Sequence, residues 1–197
     1  MSQDGVDLRR RRFLTATTAA VGTVGVGFAA VPFVSSLFPS DKAKALGAPI
    51  RVDISKIEPG ALQRDEWRGK LIMIVRRTAE NIKSLTEITE VLADPESKRE
   101  QQPPYARNIG RSIKDEYLVM IGLCTHLGCA PTYRPEVAPD DLGPDWKGGF
   151  YCPCHGSRFD LAGRVYKNVP APTNMVIPPY RFINDTLIEI GVDAEVA

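Results

Sequence analysis

All four cysteines and both histidines of this 197-residue chain fall in two six-residue stretches, Cys124-Thr-His-Leu-Gly-Cys129 and Cys152-Pro-Cys-His-Gly-Ser157. A chain that merely tolerates cysteine and histidine would scatter them. Here each stretch supplies one thiolate and one imidazole, in a Cys-x-His and a Cys-x-x-His frame, with one further cysteine alongside. Two thiolates and two imidazoles suit a soft or borderline metal. By ligand count alone the set fits a structural zinc site. It fits equally a two-iron, two-sulfide centre in which two histidines replace two cysteines on one iron. Spacing bears on the choice. Zinc fingers usually pair cysteine with cysteine and histidine with histidine in their half-sites, whereas each half here is mixed. That split lets one iron take Cys124 and Cys152 and the other His126 and His155. Cys129 and Cys154 are left over.

Both boxes resemble, in full, those of the Rieske iron–sulfur subunits of bacterial ubiquinol–cytochrome c reductases (cytochrome bc complexes). The likeness runs from the N-terminal segment to the last strands. It implies one Rieske-type 2Fe–2S cluster held by Cys124, His126, Cys152 and His155, and a disulfide between Cys129 and Cys154. It also implies that Ser157 donates to a bridging sulfide and that His155, as the catalytic residue, hydrogen-bonds the quinol. Val169-Pro-Ala-Pro172 resembles the proline loop that covers the cluster, with Val in place of the usual Gly. Leu127 and residues 170–172 are assigned by the same resemblance to shielding the cluster. High-potential members carry a Tyr two residues after the Ser, donating to a cysteine sulfur; here that residue is Phe159. A lower potential than in Tyr-bearing relatives is therefore expected.

The N-terminal stretch has its own logic. Arg9-Arg-Arg-Arg12 precedes 28 uncharged residues, Phe13 to Ser40, where about 20 suffice to span a bilayer. Arg10-Arg-Arg-Phe-Leu14 resembles a twin-arginine signal, which routes proteins that fold before export. Cluster insertion in the cytoplasm would require such a route. The arginines put the N-terminus on the cytoplasmic side. Ala43-Lys-Ala45 offers a small-x-small cleavage site, but the apolar run is long for a signal core, and its Gly, Ala and Thr suit helix packing in a membrane. The resemblance implies retention as an anchor. The expected divisions are a cytoplasmic n-region at 1–12, a transmembrane anchor at 13–39, a hinge linker at 40–49 and an iron–sulfur domain at 50–197. The cluster-binding part of that domain spans about 120–173. A disulfide implies an oxidising compartment, so this domain is expected in the periplasm, with the chain in the bacterial inner membrane.

Within the domain, apolar runs predict buried strands at 70–75 and 117–121, the second running directly into Cys124. Ile82, Leu85, Ile88 and Leu92 predict an amphipathic helix over 80–93, ended by Asp94-Pro95. Further strands are expected at 150–152, 164–167, 175–177 and 186–190, with surface loops at 97–104 and 130–149. Short strands, turn signals and one helix give a mainly β chain: an antiparallel β sandwich of Rieske type with one helical insertion, preceded by a single transmembrane helix. Loops on a rigid sheet would then present both boxes at one tip.

Net charge is +1, from 25 basic and 24 acidic residues, interspersed beyond the first dozen residues, which offers no electrostatic footprint for nucleic acid. The resemblance implies an electron-transfer role between quinol and a c-type cytochrome haem, within an oxidoreductase. Implied partners are ubiquinol, cytochrome b and c-type cytochrome subunits, in a dimeric membrane complex. Two other readings stay open at this level. One is the Rieske subunit of an arsenite-oxidase-like enzyme; the other is a zinc-stapled, membrane-tethered module without enzymatic role. Colour and metal content discriminate the last from the rest.

Overall fold

The computed structural model describes Gly5 and residues 7–192. The n-region expectation at 1–4 and 6, and the last five residues of the expected domain, lie outside the described residues. The chain divides into two compact units, residues 1–45 and 46–197.

In the first unit, helix α1 runs Leu8–Ser35, 28 residues or about 42 Å at 1.5 Å per residue. Its mean hydropathy of 1.6 over the most apolar window meets the length and composition of a membrane span. The helix begins earlier than the expected anchor at 13–39 because Asp7 caps it, accepting hydrogen bonds from the Arg9 and Arg10 N–H groups at 2.9 and 3.2 Å. It ends at Ser35, four residues before Pro39. The expected hinge linker at 40–49 contains a short helix. Helix α2 occupies Asp41–Gly47. Ser40 Oγ accepts from the Ala43 N–H, and Ala43, Lys44 and Ala45 are strong helix formers.

The second unit is built from antiparallel strands. They are β1 Ile50–Asp53, β2 Leu62–Trp67, β3 Lys70–Arg76, β4 Tyr117–Ile121, β5 Thr132–Arg134, β6 Gly149–Cys152, β7 Ser157–Asp160, β8 Tyr180–Asn184 and β9 Leu187–Ile190. Among the described residues they form three three-stranded sheets, ordered β1-β9-β8, β2-β3-β4 and β5-β6-β7. Ile72 to Val75 and Leu118 to Met120 are all buried, which is why β3 and β4 read as unbroken apolar runs and not as alternating ones. One helix, α3 Ala79–Glu87, is inserted between β3 and β4. A capping box of Thr78 and Asn81 starts it. It is shorter than the expected 80–93: Ile88 leaves the helical region, and a 3₁₀ turn follows at Thr89–Val91. The β-branched Thr86, Ile88, Thr89 and Val91 weaken helix propagation there.

Two expected strands are not strands. Residues 164–167 make only isolated bridges, Val165 to Phe159 and Tyr166 to Leu92. Residues 175–177 are buried at Met175 and Ile177, but their backbone groups bond three separate segments: Met175 N–H to Gly163, Ile177 N–H to Gln101, and Val176 C=O from Ile121. Burial makes both stretches apolar, and no single ladder claims them. Residues 130–149 are also more than a surface loop. Trp146 is fully buried, stacks on Tyr166 with centroids 5.9 Å apart, and joins Leu142 in a satellite core with Ile88 and Leu92.

The β5-β6-β7 sheet positions the site. Gly149 opens β6 opposite Asp160, with its Cα hydrogens packed on the backbone of Phe159 and Asp160. A side chain there would collide with the Phe159 carbonyl oxygen. Gly149→Ala is therefore expected to destabilise the domain by about 3 kcal/mol, read as a lowered urea midpoint at unchanged slope.

Candidate metal centre

The first box leaves the end of β4, and the second is the hairpin between β6 and β7. Each closes by the same local device. The Gly128 N–H bonds the Cys124 carbonyl at 2.9 Å, and the Gly156 N–H bonds the Cys152 carbonyl at 2.9 Å. Both glycines sit in the left-handed region, at φ +82° and +77°, where a Cβ is strained. Each box is thus a single turn from a cysteine to a glycine four residues on, carrying its histidine on the turn. The Cys-x-x-x-Gly pattern common to both boxes was the available sequence signal for this, and ligand spacing alone does not reveal it.

The turns bring the expected residues together with their chemistry sorted by depth. Cys124 and Cys152 are free thiols, buried at 3% and 2% exposure. His126 and His155 lie toward solvent with their rings edge to face, centroids 4.7 Å apart. Among the described residues neither imidazole has a hydrogen-bond partner in the protein. Cys129 and Cys154 form a disulfide across the two loops, with Cα atoms 6.7 Å apart. The Cys152 sulfur lies within 4.8 Å of both disulfide sulfurs. The grouping of these three sulfurs is not a metal site, because the disulfide uses two of them.

Burial pushes the Cys152 thiol up, opposed by the Cys154 N–H, and raised further by contact with Cys124; the His155 N–H also opposes the rise. Backbone N–H groups already aimed at the sulfur favour a thiolate there. Two inward thiols, two outward unpaired imidazoles and ready sulfur acceptor sites form a donor set that fits a 2Fe–2S group with mixed ligation.

Ser157 is buried at the start of β7, and its Oγ accepts the Ala171 N–H at 3.0 Å. Its own O–H is left to donate. Phe159, two residues on, is fully buried opposite Phe150 in the β6–β7 ladder. Leu127 is 72% exposed. The proline loop at 169–172 is fastened to both boxes: to the second by Ala171 and Ser157, and to the first through Thr125 Oγ1, which donates to the Thr173 carbonyl at 2.7 Å. Thr125 lies between two expected ligands, and its hydroxyl was not singled out in the sequence because its partner is 48 residues away.

Comparison with known proteins bears directly on this geometry. Residues 94–181 match the Rieske [2Fe-2S] domain, and residues 1–40 match the family described as Ubiquitinol-cytochrome C reductase Fe-S subunit TAT signal. A β domain with this donor set and this match is a Rieske-type iron–sulfur domain, and its cofactor is one 2Fe–2S centre. The zinc reading falls away. The chain is 62% identical over 193 residues to the ubiquinol-cytochrome c reductase iron-sulfur subunit of Allochromatium vinosum, covering 98% of this chain and 93% of that one. It is 44% identical over 190 residues to the subunit of the same name from Blastochloris viridis, covering 96% and 97%. A solved structure titled Hyperthermophilic respiratory Complex III contains a similar chain, with TM-score 0.50, 26% identity, and 89% and 98% of the two chains covered. The chain belongs to the family of ubiquinol–cytochrome c reductase iron–sulfur subunits.

The disulfide closes a loop with a sequence separation of 25, for which chain entropy gives about 3 kcal/mol. Replacing Cys129 and Cys154 together by Ala is expected to lower stability by roughly that amount. The visible absorbance of the cluster should bleach at a lower temperature than in the unmodified protein.

Proposed function

We propose that this chain accepts one electron from ubiquinol at its 2Fe–2S centre and delivers it to a c-type cytochrome haem, as the iron–sulfur subunit of a ubiquinol–cytochrome c reductase. Buried thiols set behind outward-facing imidazoles, at a tip stapled by a disulfide, are the observation that carries this reading. Cys124 and Cys152 would hold one iron, and His126 and His155 the other. When bound, the cluster supplies one-electron chemistry at an elevated potential, because neutral imidazoles replace two anionic thiolates.

The remaining work falls to side chains. A ligating imidazole keeps one ring nitrogen free, and His155 is exposed enough to meet a quinol hydroxyl. Its free nitrogen accepts the quinol hydrogen bond and then the proton, so one residue positions the donor and takes up its proton. His126, beside it, faces the same surface. Ser157 donates its hydroxyl proton inward, a hydrogen bond that favours the more negative, reduced state. Leu127 and the proline loop exclude water around the imidazoles. Phe159 fills the core without an O–H, so one donor available to Tyr-bearing relatives is missing.

Partners in this reading are cytochrome b, a c-type cytochrome subunit and ubiquinol, in a dimeric complex. Helix α1 anchors the subunit in the bacterial inner membrane. Its basic end lies on the cytoplasmic side and the iron–sulfur domain in the periplasm, after export by the twin-arginine route. Helix α2 and the residues flanking it, 40–49, serve as the connection between anchor and domain. The arsenite-oxidase-like alternative loses its support to the family membership.

Two measurements test this. Membranes containing the protein should give a Rieske-type EPR signal with ascorbate alone; a signal that needs dithionite would sink quinol oxidation as the role. In a redox titration Phe159→Tyr should raise the midpoint potential, and Ser157→Ala should lower it. An unmoved potential in both variants would remove hydrogen bonding at this sheet as the control.

A further inference from the structure

Residues 94–102 join α3 and its 3₁₀ turn to the rest of the domain, and from 97 onward they read, from sequence, as a surface loop. In the structure they form a strap behind the proline loop. The Arg99 guanidinium donates from Nη1 to the Pro172 carbonyl at 2.8 Å. Gln101 Nε2 donates to Thr173 Oγ1 at 2.8 Å. The strap is itself fixed: the Asp94 carboxylate accepts the Lys98 and Arg99 N–H groups at 2.9 and 3.1 Å, and the Asn174 side chain donates to the Asp94 carbonyl at 2.9 Å. Gln102 closes it further by donating to the Ser97 and Arg99 carbonyls.

We propose that Arg99 is a positioning residue for the redox site, holding the proline loop against the two ligand boxes through the Pro172 carbonyl. The inference rests on the assignment of the cluster to these boxes and deepens it. Pro172 has no N–H and a fixed φ, so its carbonyl is the handle by which a neighbour can fix the loop. One residue earlier, the Ala171 N–H reaches Ser157 Oγ. A hydroxyl that accepts a hydrogen bond is oriented and polarised as a donor. Arg99 therefore acts on the site at two removes, by keeping Ala171 on Ser157 and Ser157 aimed inward. Arg99 makes one charge-assisted hydrogen bond here, and no carboxylate competes for it among the described residues.

The test uses the full-length subunit in its membrane complex, with Arg99→Ala and Arg99→Lys. Arg99→Ala should give a lower midpoint potential and an altered EPR line shape. Its cluster should also bleach about fivefold faster under chelator, the factor corresponding to one net hydrogen bond. Arg99→Lys, which keeps a cationic donor, should restore most of the potential. The downward shift should persist at high salt, where a bare Coulomb effect of an exposed charge is screened. An unchanged potential and bleaching rate in Arg99→Ala would overturn the proposal, as would a shift abolished by salt. Absence of the Rieske signal in the unmodified protein would instead overturn the assignment of the site itself.

Discussion

Everything at the tip depends on holding two short loops at one fixed separation. Neither loop can do this alone. The first is closed by two backbone hydrogen bonds, Gly128 N–H to the Cys124 carbonyl and Cys124 N–H to the Cys129 carbonyl, and the second turns on Gly156 N–H to the Cys152 carbonyl; each is worth about 1 kcal/mol net, and none ties one loop to the other. The Cys129–Cys154 disulfide supplies the covalent tie, and the proline loop supplies a second, noncovalent one by bonding Ser157 and the Thr173-bound Thr125. The Cys124 and Cys152 thiols then stay on the buried side of the gap, and the His126 and His155 imidazoles on the more exposed side. That sorting matters chemically. A buried thiolate pair binds iron without offering itself to solvent, while an imidazole can meet a substrate proton only from the outside.

Beneath the tip, the far end of β7 is pinned by buried charge. Asp160 and Arg164 are fully buried and paired, with Arg164 Nε 2.7 Å from the Asp160 carboxylate. The same carboxylate accepts the Ala162 and Arg164 N–H groups, closing the turn after β7. Arg77 and Arg111 approach that turn from other segments and cap its carbonyls: Leu161 by Arg77, Ala162 and Gly163 by Arg111. Burial lowers both of these guanidinium groups to about 10, so each stays charged at neutral pH. Three cations against one carboxylate is an expensive arrangement in a low dielectric, and backbone carbonyls supply the missing counter-dipoles. The result is a turn over-determined by side chains from three segments. The β6–β7 hairpin can therefore present its tip without the root moving.

What could be read from sequence follows from how local each determinant is. Ligand types and spacing are local, so the cluster type and both boxes were legible, as were the unbroken runs of β3 and β4. Strands whose identity comes from partners were not. Leu62 to Trp67 of β2 alternates weakly and carries Arg64, Asp65 and Glu66 because one side faces water. Residues 175–177 looked like a strand because they are buried, and burial is all that apolar composition reports. The strap at 94–102 is polar because its donors are used, and a used donor and a solvated one look alike in a sequence. Its partners, Pro172 and Thr173, are more than 70 residues away.

The N-terminal helix shows the same principle in another solvent. Arg9 to Arg12 stand in its first turn, and no acidic residue is there. The helix dipole disfavours cations at that end, so four arginines cannot have been placed to stabilise the helix. Asp7 offsets part of the cost by capping two N–H groups. A cationic N-terminus ahead of a 28-residue apolar helix makes sense only if some other constraint outweighs the dipole. Membrane insertion does, since orientation is set by basic residues flanking the span. Every apolar side chain described on this helix is solvent-exposed, which is the condition a lipid environment would relieve. The match of residues 1–40 to a twin-arginine signal family and a helix long and apolar enough to cross a membrane both fit a membrane-anchored unit.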